Sequence, residues 1–251
     1  MSTISFQQFA AYSQIKHVIT TRKGGYSPTP FDSLNLSLKV NDNAEHVIAN
    51  RQQVKEWLGS SILIFPEQTH SDHIEIVNSK NVSGIFQDTD ALITNEKNIA
   101  IGVMSADCVP ILLYDPVQHV VAAIHAGWKG TVNGIVLKTI QKMQQEFNVN
   151  PSDILAGIGP SICSKCYEIG TDVIQQIQEK CIDSSLILKH LTTSKAFADL
   201  QEANRQWILH TGVSPENIEV MERCTFEEEL FFSARKSDYQ TGRFSACIVL
   251  K

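Results

Sequence analysis

Short runs of Val, Ile and Leu alternate along the chain with stretches in which apolar residues return every three or four positions. The first pattern is a strand signal and the second a helix signal. Two apolar runs, Val109–Tyr114 and Val120–Ile124, flank a turn built on Asp115, Pro116 and Gln118, and they predict a β-hairpin. Further strands are predicted at Lys16–Thr21, Ile62–Phe65, Ile74–Val77, Ile99–Met104, Ile154–Ile158, Ile218–Val220 and Arg243–Leu250, with another at the end of Asp88–Thr94. Leu34–Leu38 alternates apolar and polar residues, as a half-buried strand or extended segment does. Helical spacing runs through Ala44–Leu58, Thr131–Phe147, Thr171–Cys181 and Ala198–Thr211. Asp42 or Asn43 can cap the first of these, and Gly59 ends it. No repeat, linker or composition break interrupts the chain, so residues 1–251 are expected to form a single domain.

Composition narrows the class. At 251 residues the chain can bury a full core, and 43% hydrophobic with 19% charged residues is ordinary for a globular enzyme. A formal net charge of −6 argues against nucleic acid or an anionic membrane as the main partner. No apolar run reaches the length of a membrane span. The first residues, MSTISFQQFAAYSQIKH, lack the basic and apolar regions of a secretory signal, so the cytoplasm is the expected compartment. There the six scattered cysteines would be reduced.

Chemistry concentrates at the open end of the predicted hairpin. Asp107 and Cys108 precede its first strand and His125 follows its second, so antiparallel pairing brings them to one edge. His70 follows another short strand in Gln68-Thr69-His70. Two imidazoles and a thiolate suit Zn²⁺, whose catalytic sites use three protein ligands and lower the pKa of bound water to about 7. The same donors would hold Cu²⁺. Alternatively, Cys108 is a nucleophile with His125 as its base, or a small buried hydrophobe beside backbone-bonded histidines. Asp107 is a candidate proton carrier. His73 lies three residues after His70 and would point the other way on a strand, so it is not expected to be a ligand. Arg51 sits within a predicted helix, where a solvated cation is the plainest reading. Cys163 and Cys166 form a CxxC with no partner pair at finger spacing, and read as incidental reduced thiols. Neither glycine-rich turn is a P-loop, and no dinucleotide fingerprint occurs.

The stretches TTRKGGYSPTPFDSLNLSLKVNDN, PEQTHSDHI, DTDALIT, SADCVPILLYD, AAIHAGWKGT, IGPSICSKCYEIG and FFSARKSDYQTGRFSACIVL span Thr20 to Leu250. In them the chain resembles the multicopper polyphenol oxidase (laccase-like) family, also called the peptidoglycan editing factor or purine nucleoside phosphorylase family. The resemblance implies an α/β fold: one catalytic domain, residues 1–251, in a layered α-β-β-α sandwich with mixed sheets, similar to a group of cysteine hydrolases. It implies a metal, usually zinc, held by His70, Cys108 and His125. It implies phosphorolysis of adenosine, inosine and methylthioadenosine to base and ribose 1-phosphate, with an adenosine deaminase activity. Arg22, Arg51 and Lys129 lie in or near the matching motifs as candidate phosphate ligands, and Asn35 as a ligand for ribose or base. The laccase label implies copper, but the chain has no HxH pairs from which to build a multi-histidine copper cluster. A rival activity is an amidase that removes L-Ser from a UDP-muramyl precursor, and a non-enzymatic reading is a metal-binding scaffold. The partners expected are small molecules, with the chain a monomer or homodimer.

Overall fold

Fourteen strands and six α-helices, seen in a computed structural model describing residues 1–251, assemble into three sheets. A six-stranded sheet is built on the hairpin Val109–Asp115 and Val120–Ala126. Its order across is Ile218–Val220, Leu155–Ile158, the two hairpin strands, Ala91–Thr94 and Ile74–Ile76. The two edge pairings are parallel and the inner ones antiparallel, so the sheet is mixed. A five-stranded mixed sheet runs Thr3–Ile4, Ile15–Thr20, Phe244–Leu250, Ile99–Ser105 and Ile62–Ile64.

The hairpin strands are apolar on both faces because both faces are covered. Leu112, Tyr114, Val121 and Ala123 join a core shared with Ile19, Ile101 and Ile248 of the five-stranded sheet. Ile111, Leu113, Ala122 and Ile124 join Val136, Ile140 and Ile208 of the helices Ile135–Phe147 and Leu200–His210. On the far face of the five-stranded sheet, Val18, Ala100 and Val249 meet Val54 and Leu58 of the helix Ala44–Leu58. The packing order is therefore helix, sheet, sheet, helices. Period-two alternation sends each strand's neighbouring residues into different cores. No helix is long and apolar enough to cross a membrane.

Caps and stops follow local chemistry. Asn43 caps Ala44–Leu58 by accepting from the Glu45 amide at 2.8 Å, and Gly59 ends that helix in the left-handed region. The helix predicted over Thr131–Phe147 is two helices, Trp128–Val132 and Ile135–Phe147. Gly134 separates them at φ 71°, a conformation that glycine adopts without a side-chain clash. Leu34–Leu38 forms no strand. Leu34 and Leu36 are buried and Leu38 is exposed, while Asn35 and Ser37 turn inward and bond locally, so alternation did not mean a pleat. A three-stranded sheet of Glu168–Gly170, Lys195–Ala198 and Leu188–His190 carries no strand-like pattern in the sequence. Its strands are short, and one is polar and largely exposed.

Candidate active site and metal centre

Register fixes the site. Pro110 pairs with His125 and Val109 with Ala126, so Cys108 emerges beside the strand that ends at Ala126. Next to it, Ala91 pairs with Ile124, which sets Asp90 beside His125. His70 arrives from the loop after Ile62–Ile64, in the left-handed region at φ 63°. That loop is pinned by Gln68, whose side-chain amide exchanges two 2.8 Å hydrogen bonds with the Met104 backbone.

His70, Cys108 and His125 each offer a ligand atom within 4.8 Å of the others. The two imidazoles meet edge to face, with centroids 4.9 Å apart. Gly127 makes this approach feasible. A Cβ there would lie 2.8 Å from His70 Cδ2 and 3.1 Å from Cys108 Sγ, inside contact distance.

Asp90 organises the cluster from behind. It is fully buried, and its Oδ1 lies 2.7 Å from His125 Nδ1. It also accepts from the amides of Thr69, His70 and Ser71 and from the Ser71 hydroxyl, so one carboxylate shapes the His70 loop and orients His125. Burial works against its charge, but the imidazole and these donors hold its pKa at about 2. Burial likewise opposes a Cys108 thiolate, yet His125 and His70 bring the thiol down to about 6. His125 resists charging by its burial, but the thiolate and Asp90 raise it to about 9. The two shifts run in opposite directions, each favouring charge on the other group, so the site favours a Cys108 thiolate beside His125. Asp90 occupies His125 Nδ1, which leaves Nε2 to ligate. With a ready thiolate, a second imidazole and the clearance at Gly127, the donor set fits a three-ligand zinc site.

The cluster opens into a cavity of about 920 Å³ that also receives Arg51, Phe65, Tyr167 and Arg243. Arg51 is not a solvated helix cation. It is half-buried, donates from Nε to the Leu36 carbonyl at 2.7 Å, and lies 5.0 Å over the Phe65 ring. Burial lowers its pKa to about 10, which leaves it charged at neutral pH. Arg243 donates to the Thr241 and Gly242 carbonyls. Neither arginine forms an ion pair with a carboxylate; the Arg51 NH2 group instead reaches Met104 Sδ at 3.8 Å.

Other sequence candidates fall elsewhere. Arg22 is spent on Asp32, 3.1 Å away, and on the Phe232 ring, and it does not line the cavity. Lys129 is exposed beside Trp128, also outside the cavity. Asn35 is fully buried and bonded to Ser37, Asp42 and the Arg243 amide, so it builds the fold and is closed to a substrate. Asp107 does line the cavity, but Oδ1 accepts from Thr225 Oγ1 at 2.6 Å and Oδ2 from the Arg235 amide at 2.7 Å. Held so, at φ 92°, it positions Cys108 and is not a free proton carrier. His73 lies in a loop, not on a strand, and bonds to the Asp88 carbonyl away from the cluster. Asp90 and Arg243 escaped sequence reading. The signal for Asp90, a carboxylate just before a strand, acquires meaning only when Ala91 pairs with Ile124.

Residues 16–251 match the model of the multi-copper polyphenol oxidoreductase laccase family. The chain is 34% identical over 264 residues to the purine nucleoside phosphorylase YlmD of Bacillus subtilis, covering 100% of this chain and 95% of that one. It is 33% identical over 235 residues to an adenosine deaminase, RL5, from an unknown prokaryotic organism, covering 89% of each. The crystal structure of the Bacillus licheniformis hypothetical protein YfiH superposes with a TM-score of 0.95 at 35% identity, over 100% of this chain and 97% of that one.

Proposed function

Since the chain belongs to the multi-copper polyphenol oxidoreductase laccase family, we propose that it works as one catalytic unit on purine nucleosides. Its reaction is phosphorolysis of adenosine, inosine and methylthioadenosine, and adenosine deamination is a second activity. Similar proteins named purine nucleoside phosphorylase and adenosine deaminase support this class. One observation carries the reading. Two guanidiniums without carboxylate partners, Arg51 and Arg243, share a cavity with the His70, Cys108 and His125 donors.

In phosphorolysis a phosphate oxygen bonds to the ribose C1′ while the bond from C1′ to N9 breaks. The electron pair leaves with the purine, which gains a proton. Arg51 and Arg243 hold the phosphate in forked, charge-assisted hydrogen bonds and oppose its charge to the developing oxocarbenium ion. Phe65 and Tyr167 give the base flat apolar surface. Asp107 fixes the backbone that carries Cys108, and Asp90 fixes His125. Zinc held by His70, Cys108 and His125 would supply a Lewis acid in this cavity. We assign zinc in preference to copper because phosphorolysis and deamination change no oxidation state, so the reaction calls for a redox-inert Lewis acid.

The test is product analysis. Purified protein given adenosine should release adenine and ribose 1-phosphate only when phosphate is present. Absence of base release at any phosphate concentration would reject the reading. A second reading rests on the Cys108–His125–Asp90 relay, the geometry that activates a thiol nucleophile. It assigns the amidase reaction on the UDP-muramyl-L-seryl precursor. Release of L-Ser from that nucleotide, without phosphorolysis of adenosine, would favour it.

A further inference from the structure

A second set of sulfur donors lies outside the active site. Cys163, Cys166, Cys224 and Glu227 each present a ligand atom within 4.8 Å of the others. The sequence offers only the CxxC of Cys163 and Cys166; the other two donors come from a segment about 60 residues later. A parallel bridge between Ser161 and Cys224 brings the two segments together. Thr225 donates its amide to the Ser161 carbonyl at 3.0 Å, and Ser161 donates to the Arg223 carbonyl at 3.3 Å. The Cys163 amide points at Cys224 Sγ, 3.3 Å away, and Cys163 Sγ lies 3.9 Å from Glu227 Oε2. Cys224 is buried, Cys163 and Cys166 are half-buried, and Glu227 reaches in from the surface.

We propose that Cys163, Cys166, Cys224 and Glu227 form a second, structural zinc site. Three thiolates and one carboxylate make a four-donor set for a closed tetrahedral centre. Sulfur predominance selects zinc over hard cations such as Mg²⁺ or Ca²⁺. A disulfide between any two of these cysteines would strand the third thiol and leave the carboxylate without a role, whereas one metal ion engages all four. Arg223 and Lys165 offset part of the negative charge the ligands bring, although Arg223 is shared with Glu228.

The site braces the catalytic wall from outside. The two segments it would join both grip Asp107: the Ile162 amide donates to the Asp107 carbonyl at 2.9 Å, and Thr225 Oγ1 donates to its carboxylate at 2.6 Å. Asp107 adjoins Cys108, so a metal clip across Cys163 and Cys224 limits movement of the active-site thiol's backbone. Cys163 and Cys224 each stand one position from a residue that holds Asp107, Ile162 and Thr225 respectively.

The test uses full-length protein carrying His70→Ala, Cys108→Ala and His125→Ala, which removes the first donor set. After chelator treatment under reductant it is titrated with Co²⁺ alone and then with Zn²⁺ alone. We expect one equivalent of Co²⁺ per chain, with the intense thiolate-to-cobalt charge-transfer band of a multi-sulfur tetrahedral site, bleached by one equivalent of Zn²⁺. Adding Cys163→Ser and Cys166→Ser should abolish both. These two side chains are half-exposed, so their replacement spares the fold while buried Cys224 stays in place. Failure of the first variant to take up Co²⁺ or Zn²⁺, or uptake unchanged by the two serine substitutions, would overturn the proposal. The two sites separate in the wild type: two equivalents fit both, and one equivalent that survives the His70, Cys108 and His125 substitutions fits this site while removing the zinc centre proposed in the cavity.

Discussion

The protein gathers thiols in two places by opposite means. Around Cys108, two donors stand at the ends of central strands, where register sets Cys108 beside His125 and Asp90 behind it, and Asp90 in turn holds the loop that brings in His70. Around Cys224 the donors stand on surface loops joined by one bridge. The electrostatics also diverge. Imidazoles beside Cys108 pull its thiol down to about 6, whereas burial and neighbouring sulfurs push Cys166 up to about 12. A thiol among histidines is charged before anything binds, while thiols among thiols stay protonated until a cation enters. The first arrangement suits chemistry, the second a brace.

The largest effect that would break this contrast is on turnover. Cys108→Ala should cut phosphorolysis by roughly three orders of magnitude, the scale lost when an essential reacting group goes. Cys163→Ser should keep most of kcat and raise KM, measured by adenine release against adenosine concentration. Equal losses of kcat would erase the distinction between a reacting site and a brace.

Asp90→Ala should come next, costing about 3–5 kcal/mol in urea unfolding because buried donors and His125 lose their partner. The acid limb gives the sign. Asp90 is held at about 2 when folded, below its ordinary 3.8, so its stabilisation is complete above pH 4 and drains away as pH falls through 2. Asp90→Asn should lack that part of the acid transition. Gly127→Ala should weaken zinc at the His70 cluster by about 10–100-fold in chelator competition, while the Cys224 cluster keeps its metal. The smallest effect is in alkylation of metal-free protein. Cys108 should lose reactivity toward iodoacetamide only as pH falls through about 6, and Cys166 should stay slow across the neutral range. Coincident profiles for the two thiols would refute the electrostatic contrast.

Local pattern made much of the fold legible. The hairpin, the apolar strands Ile15–Thr20 and Phe244–Leu250 near the chain ends, and the helices Ala44–Leu58, Thr171–Lys180 and Leu200–His210 follow from apolar spacing and caps. The hairpin also foretold that Cys108 and His125 meet. What spacing could not supply is pairing between distant segments. Asp90 became His125's partner through a strand pair, Cys224 joined the CxxC through one bridge, and Arg243 reached the cavity from the beginning of the last strand. Asn35, Arg22 and Lys129 failed as candidates for the converse reason. Polar residues in a recognisable motif can be consumed by the fold itself, as the hydrogen bonds of Asn35 are.

The hairpin has two ends, and only one carries reactive groups. At the other, Asp115 accepts from the Val117 and Gln118 amides to close a tight reversal whose Val117 side chain faces solvent. Seven paired positions separate that tip from Cys108. A fluorophore or peptide tag grafted there would ride on a fully paired, buried hairpin at the end remote from the cavity, which makes the tip a natural anchor for immobilising or tracking the protein.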